Sequence, residues 1–228
     1  MNSTIKSLAR VLGLAAAVLG TAVPAAAAVV FYTDQAAYEA ALGTSVASDN
    51  FSDLTPDAAL AGPLARFAGG SGYRARAVLA LPDPGAEDFF PIAPGGNTAL
   101  SSNFSTASMV FDQFSQSVRG ISGQFFSSDE LGSLLAGTLN LVLFDQDGGF
   151  NYSLASGGIA PSFLGFISDG SFSSFSLSAV QPSGGSFRFA ALDDLGLAAR
   201  QAVPEPGAAS LSLLALGLML LVGKRRGN

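Results

Sequence analysis

Carboxylates are the side chains of this 228-residue sequence with the greatest capacity for chemistry, because it contains neither His nor Cys. Without imidazole or thiolate groups the chain cannot build the common zinc sites, a Cys nucleophile or a Ser-His-Asp triad. Carboxylates can bind cations such as calcium, accept hydrogen bonds from hydroxylated ligands, or work in pairs as acid and base. Their spacing in the sequence decides among these uses.

A calcium site is one candidate use of these carboxylates. Asp193 and Asp194 are adjacent, so on a continuous strand their side chains point to opposite faces and do not form one bidentate pair. We expect Asp194 to join Asp53 or the carbonyl of Asn50 around a calcium ion, whose oxygen ligands tolerate irregular geometry. The alternative is that these residues are solvated surface groups. Calcium is the one cofactor that the sequence suggests.

Other acidic motifs have simpler explanations. The segment 145–148, Asp-Gln-Asp-Gly, resembles the first half of a calcium loop but lacks the later ligands, so we predict a hairpin turn there. The acidic pairs at 129–130 and 87–88 are adjacent in sequence, whereas glycoside hydrolysis needs two carboxyl groups about 5 to 9 Å apart on opposite sides of the bond. We therefore predict that the protein is not an enzyme, with a secreted hydrolase of unrecognised site as an alternative.

Carbohydrate binding is a further candidate, because sugars are often held by an aromatic ring stacked on one face. The sequence has no Trp, which leaves Tyr as the candidate ring. Tyr73, beside Arg74 and Arg76, and Tyr152, which follows Asn151 in a glycine-flanked segment, are the candidate ligand-binding residues. The alternative is that both are ordinary core or surface aromatics.

Local sequence patterns predict the elements that position these residues. Segment 33–43 begins with cap-forming Thr and Asp and ends in Gly, which predicts one short helix. The later segments alternate apolar and polar residues, as strands with one buried face do. The strands predicted from these patterns are 29–32, 73–81, 109–111, 121–126, 138–144, 163–168, 172–179 and 187–192, and the predicted long loops are 56–68 and 82–97. A further strand at 47–53 is implied by a resemblance to domains that begin with a short helix followed by such a strand.

Glycine pairs separate the strands at spacings typical of a two-sheet sandwich, and eighteen Phe can fill the space between the sheets. We predict an all-β protein, an antiparallel jelly-roll-like β-sandwich over residues 29–200 with one short N-terminal helix. No repeat of fixed period is present, which argues against a propeller or a solenoid.

The first 28 residues follow the order of a secretory signal peptide. Lys6 and Arg10 supply the positive charge, 11–23 is the apolar stretch, and Ala26 and Ala28 are the small residues of the cleavage site. We expect signal peptidase to cut after Ala28. The protein is therefore predicted to be exported.

The last 26 residues contain three consecutive features. The motif consists of Val203, Pro204, Glu205 and Pro206. Its prolines hold the residues before them extended, as a protease cleft requires. An uncharged apolar run over 207–223 follows, about 25 Å long as a helix and therefore at the short end of what spans a bilayer. The basic tail contains Lys224, Arg225 and Arg226, which keep this end in the cytoplasm.

This C-terminal region, 201–228, resembles the PEP-CTERM sorting signal, in which a Pro-Glu-Pro motif, an apolar transmembrane helix and an Arg cluster occur in this order. The resemblance implies export by a Gram-negative bacterium and processing at the motif by an exosortase. The end of the domain, 187–195, resembles the terminal strand of carbohydrate-binding jelly rolls, which implies first and last strands that lie together around a structural calcium.

The negative charge of the central domain limits the kinds of partner that it can bind. Residues 29–203 contain sixteen acidic residues, six Arg and no Lys, for a net charge of −10. Such a surface repels phosphate backbones, which excludes nucleic acid as a partner. We expect an exported surface or extracellular-matrix protein, structural or associated with exopolysaccharide, whose partners are signal peptidase, exosortase and, before processing, the membrane. A carbohydrate-binding module of jelly-roll type is the alternative.

Overall fold

A computed structural model describes residues 28–79 and 88–199. Several predictions fall on the remaining residues and lie outside the described part of the chain: the signal peptide, the sorting motif, the apolar segment 207–223 and the basic tail. Among the described residues, no helix is both long and apolar enough to cross a membrane.

The predicted first strand and helix are confirmed. Strand β1 is Val29–Tyr32 and helix α1 is Gln35–Leu42. The side chain of Asp34 accepts a hydrogen bond from the Ala37 backbone N–H at 2.8 Å, and Gly43 ends the helix in the left-handed conformation with φ of 74°. Both caps satisfy backbone groups that the helix ends leave unpaired.

Among the described residues after α1, the regular elements are strands and one 3-10 turn, Pro94–Gly96. The strands are β2 (Ser48–Asp49), β3 (Leu64–Ala68), β4 (Ser71–Val78), β5 (Leu100–Ser101), β6 (Ser108–Asp112), β7 (Val118–Ser128), β8 (Gly137–Phe144), β9 (Gly149–Ser156), β10 (Ser162–Phe172), β11 (Ser174–Ala179) and β12 (Phe189–Ala199).

These strands form two six-stranded antiparallel sheets. The first sheet has the order β1-β10-β7-β12-β2, with β5 also paired to β12, and the second has the order β3-β4-β6-β11-β8-β9. Inward-facing apolar residues of both sheets share one core, in which the rings of Phe111 and Phe175 stack at 4.4 Å. The prediction of an antiparallel all-β sandwich with one short helix is confirmed.

Three strands were not predicted from the sequence: β3, the two-residue β5 and β9. Strand β3 lies within the predicted loop 56–68. The sequence pattern did not reveal it because its solvent-facing side carries Phe67, which is 70% exposed, and its inner side carries Arg66. This reversal hides the usual alternation. Strand β9 was not predicted, although Phe150, Tyr152 and Leu154 alternate with more exposed residues along it. Two glycine pairs at 148–149 and 157–158 made the segment resemble a loop.

Helix α1 packs on the outer face of the first sheet. Its Tyr38 and Leu42 form a small cluster with Ala198, and Tyr38 is 1% exposed. Two glycines of the sheet provide the space for this ring: a Cβ at Gly165 would overlap it, and one at Gly120 would lie 2.7 Å from its hydroxyl oxygen. The helix therefore lies close enough to the sheet to form one wall of a cleft.

Candidate functional site

The predicted calcium residues direct attention to the edge where β2, β3 and β4 meet. Here Asp49, Asp53, Arg66 and Tyr73 form a connected group, called the Arg66 cluster below. Strand alternation turns Arg66 inward together with Leu64 and Ala68, so a guanidinium lies on the apolar side of β3. A charged group in that position requires a buried partner.

Asp49 is that partner. Arg66 donates to it through two parallel hydrogen bonds, Nε to Oδ2 and Nη2 to Oδ1, both 2.7 Å long. The Tyr73 hydroxyl donates to Oδ2 at 2.6 Å, and the Phe51 backbone N–H donates to Oδ1 at 3.1 Å. Asp53 accepts from the outer side of the same guanidinium at 2.6 Å and 3.2 Å. Paired bonds of this kind are among the strongest in proteins.

The electrostatics of the Arg66 cluster agree with this geometry. The hydrogen bonds from Arg66 lower the pKa of Asp53. Burial raises the pKa of Tyr73, and the charge of Asp49 raises it further. Burial alone would lower the pKa of Arg66, but its bonds to two carboxylates outweigh that effect and keep it charged. The cluster is therefore an ion pair that is buried on its Asp49 side and open to solvent on its Asp53 side.

Each of the three residues of the predicted calcium site has a hydrogen-bonding partner within the fold. Asp53 binds Arg66, and the Asn50 side-chain oxygen accepts from the Ser52 backbone N–H at 3.2 Å. Asp194 accepts from the Ser48 hydroxyl at 3.3 Å. Within residues 28–79 and 88–199, no group of three or more acidic side chains is placed to hold a metal ion.

The two candidate tyrosines have different environments. Tyr73 is 4% exposed and packs against Phe111, so the structure corrects its expected role: no ring face is open for stacking on a sugar. Tyr152 is half-buried, with its ring 4.9 Å from that of Phe31 and 5.6 Å from that of Phe166. It contributes to the edge of the core between β1 and β9.

The hairpin predicted at 145–148 joins β8 to β9. One carboxylate oxygen of Asp145 accepts from the backbone N–H groups of Asp147 and Gly148 at 2.9 Å and 3.1 Å. The other oxygen accepts from the Ser168 hydroxyl at 2.8 Å. Both oxygens of Asp145 therefore stabilise the turn and its contact with β10.

Asp194 lies instead in a polar cleft between α1 and the outer face of the first sheet, called the α1 cleft below. Its volume is about 130 Å³. The polar side chains that line the α1 cleft are Gln35, Glu39, Ser48, Ser122, Gln124 and Asp194, and its apolar lining includes Val46 and Phe163.

A β-bulge places Asp194 in the α1 cleft. Between Asp193 and Gly196, strand β12 has one residue more than the facing segment of β7 from Gln124 to Ser122, and Asp194 adopts a positive φ of 52°. Asp193 stays largely buried and Asp194 is exposed. Burial raises the pKa of Asp193 to about 6, opposed by a hydrogen bond from the Asp194 N–H and reinforced by the charges of Asp194 and Asp49.

Sequence reasoning missed Asp49 and Arg66, as well as the helix residues of the α1 cleft. For Asp49 and Arg66 the sequence did contain an indication. Arg66 alternates with Leu64 and Ala68 along one face of a strand, and an Arg on a buried face requires a buried carboxylate as its partner. No comparable signal existed for the α1 cleft, because Gln35, Ser122 and Asp194 are distant in sequence and common in type. Comparisons with protein-family models, with curated proteins and with solved structures found no match to this chain.

Proposed function

We propose that this protein is exported and displayed at the cell surface or in the extracellular matrix, after processing by an exosortase at Val203, Pro204, Glu205 and Pro206. The observation that carries the proposal is the order of motif, apolar run 207–223 and basic tail in the sequence. The jelly-roll-like sandwich is the exported module. Only three residues separate the end of β12 at Ala199 from Val203, so the precursor holds this module at the membrane face.

The role of the module after export is structural or exopolysaccharide-associated. The Arg66 cluster supports a structural role for its carboxylates, since Asp49 and Asp53 both bind the guanidinium of Arg66 and Asp49 is buried. A carbohydrate-binding module is the second candidate, and one observation favours it: the α1 cleft combines open hydrogen-bonding groups with an aromatic side chain.

Intact-mass measurement of the exported protein tests the sorting proposal. We expect a species that lacks both residues 1–28 and the tail from about residue 207 onward. The Glu205→Ala variant should accumulate as an inner-membrane precursor, whereas Gln201→Ala, a control outside the motif, should be processed normally. An exported species that still carries 224–228 in cells with an active exosortase would contradict the proposal.

A further inference from the structure

The polar groups that line the α1 cleft have unused hydrogen-bonding capacity. Glu39 accepts one hydrogen bond from Gln35 at 3.0 Å, and Asp194 accepts one from Ser48 at 3.3 Å. The second oxygen of each carboxylate has no partner among residues 28–79 and 88–199, and neither does the side-chain amide of Gln124. These groups are available to a ligand.

A second feature lies beside the α1 cleft, where Tyr38 packs between α1 and the first sheet. The hydroxyl of Tyr38 is fully buried and makes no well-formed hydrogen bond to any described residue. Ser122, whose side chain lines the cleft, lies close enough to lower the pKa of that hydroxyl, although burial raises it overall. A buried hydroxyl that lacks a hydrogen-bonding partner destabilises the folded protein, unless a bound water or ligand supplies that partner.

Charge limits the kind of ligand. Two carboxylates line the α1 cleft, and no Lys or Arg is among the described residues that line it. Phosphate, sulfate and uronate groups would therefore be repelled. A ligand that donates hydrogen bonds from hydroxyl groups suits carboxylate oxygens, and an amide such as that of Gln124 can both donate and accept.

A cation is the competing ligand, and the geometry favours it less. Calcium takes about six to eight oxygen ligands, usually with several carboxylates among them. The α1 cleft offers only Glu39 and Asp194 as charged ligands, each already bonded to a neighbouring side chain. Phe163 also lines the cleft, held edge-on by Tyr38 at 5.8 Å between ring centroids. An apolar ring suits the C–H face of a sugar and contributes nothing to metal binding.

We propose that the α1 cleft binds a neutral sugar unit of a polysaccharide, with Asp194, Glu39 and Gln124 bonded to its hydroxyls and Phe163 against its apolar face. The cleft has a volume of about 130 Å³ and is open to solvent on one side, so we expect it to contact a single sugar unit of the chain. Such a shallow site predicts a Kd on the order of 1 mM. The inference deepens the second candidate function and does not depend on exosortase processing.

Titration of the full chain with methyl glycosides of glucose, galactose, mannose and N-acetylglucosamine tests the proposal. The protein is kept in a detergent without a sugar headgroup, and binding is followed by saturation-transfer NMR. We expect saturable binding of at least one neutral glycoside and much weaker binding of the corresponding uronate. Calcium is titrated in parallel as the competing probe.

Three variants locate the site. Asp194→Asn keeps the positive φ, which Asn tolerates, and removes a charged acceptor, so glycoside binding should weaken about tenfold. Gln124→Ala should weaken glycoside binding about threefold to tenfold. Gln35→Ala should also weaken it, and because Gln35 is exposed on α1 this substitution leaves the core intact. Glu130→Gln, an exposed acidic residue outside the cleft, should leave binding unchanged.

The outcomes separate clearly. Glycoside binding that weakens in the cleft variants and not in Glu130→Gln supports the proposal. Absence of saturable binding to every neutral glycoside, or binding that persists in all three cleft variants, overturns it. Calcium binding that is lost in Asp194→Asn, without glycoside binding, would assign the cleft to a cation instead. None of these outcomes bears on processing at Glu205, which intact mass reports separately.

Discussion

Two neighbouring parts of the molecule use the same residue types in opposite ways. In the Arg66 cluster, Asp49 and Asp53 share one guanidinium, and the Asp49 oxygens also accept from Tyr73 and a backbone N–H. In the α1 cleft, Asp194 accepts one side-chain hydrogen bond, from the hydroxyl of Ser48. Strand β2 contributes to both, because Ser48 lines the cleft and the next residue, Asp49, turns toward Arg66.

The difference shows that an acidic residue becomes structural or available according to its neighbours. A carboxylate that faces Arg is neutralised and immobilised, and its oxygens are used within the fold. A carboxylate that faces amides and hydroxyls retains capacity for a ligand. The two regions should therefore respond differently to substitution: the first through stability and the second through binding.

The largest expected effect comes from opening the Arg66 cluster. Arg66→Ala leaves the buried carboxylate of Asp49 without its cation, which should lower the free energy of unfolding by about 3 to 5 kcal/mol. Urea denaturation followed by circular dichroism measures the change. Asp53→Ala is the matched control, because it removes the carboxylate on the other side of the same guanidinium. The Asp53 side chain is 68% exposed, so this variant should lower the free energy of unfolding by less than about 1 kcal/mol. Equal losses of unfolding free energy in both variants would contradict the distinction between the buried Asp49 and the exposed Asp53.

A smaller effect is expected from disturbing the wall of the α1 cleft. Gly165→Ala places a methyl group against the ring of Tyr38, so α1 must shift, at a cost of about 1 to 3 kcal/mol. Gly157→Ala is the control, because no atom lies within 4 Å of the Cβ it would add. Denaturation midpoints compare the two. If Gly165→Ala were as stable as Gly157→Ala, the close packing of helix and sheet would be wrong.

Asp193, between the two regions, predicts a pH dependence. Its folded-state pKa of about 6 lies above the usual value of 3.8, so the folded protein holds this proton where the unfolded chain has released it. Its contribution to stability is complete below about pH 4 and is lost as the pH rises through 6, by about 1 to 2 kcal/mol.

Denaturation curves across this pH window check the prediction for Asp193. Asp193→Asn should remove the decline between pH 4 and 6, and the exposed Asp169→Asn should retain it. Below pH 4 the opposite trend is expected from Asp53 and Asp112, because Arg side chains lower the pKa of both and protonation removes that stabilisation. An unchanged slope in Asp193→Asn would exclude this residue as the source.

The smallest effect is expected from calcium. Asp53 is bonded to Arg66, and the α1 cleft offers only Asp194 and Glu39 as charged ligands, so thermal melts in chelator and in millimolar calcium should give the same Tm. A Tm that rises with calcium concentration as a single-site linkage would restore the calcium hypothesis for Asp194. Asp194→Asn and Asp53→Asn then show which carboxylate binds the ion.

Sequence patterns anticipated the elements whose signal is local. Capping residues at 34 and 43 defined α1, and apolar alternation located strands such as β8 and β11 within one or two residues of their ends. Strand β3 was missed because its inward residue is Arg66 and its outward residue is Phe67, the reverse of the usual pattern. Tyr73 was a candidate ligand-binding residue because it lies beside Arg74 and Arg76, although strand alternation places the tyrosine and the two arginines on opposite faces.

The sequence by itself determined the all-β class, the single capped helix and the excess of acidic residues, because caps, alternation and net charge depend on neighbouring residues or on composition alone. Only the tertiary structure decided which carboxylates are used. Asp49 meets Arg66 because β2 and β3 bring together residues 17 positions apart, and Asp194 meets Ser48 across 146 positions through a bulge in β12. Hydrogen bonds act over about 3 Å, so distances along the chain do not reveal them.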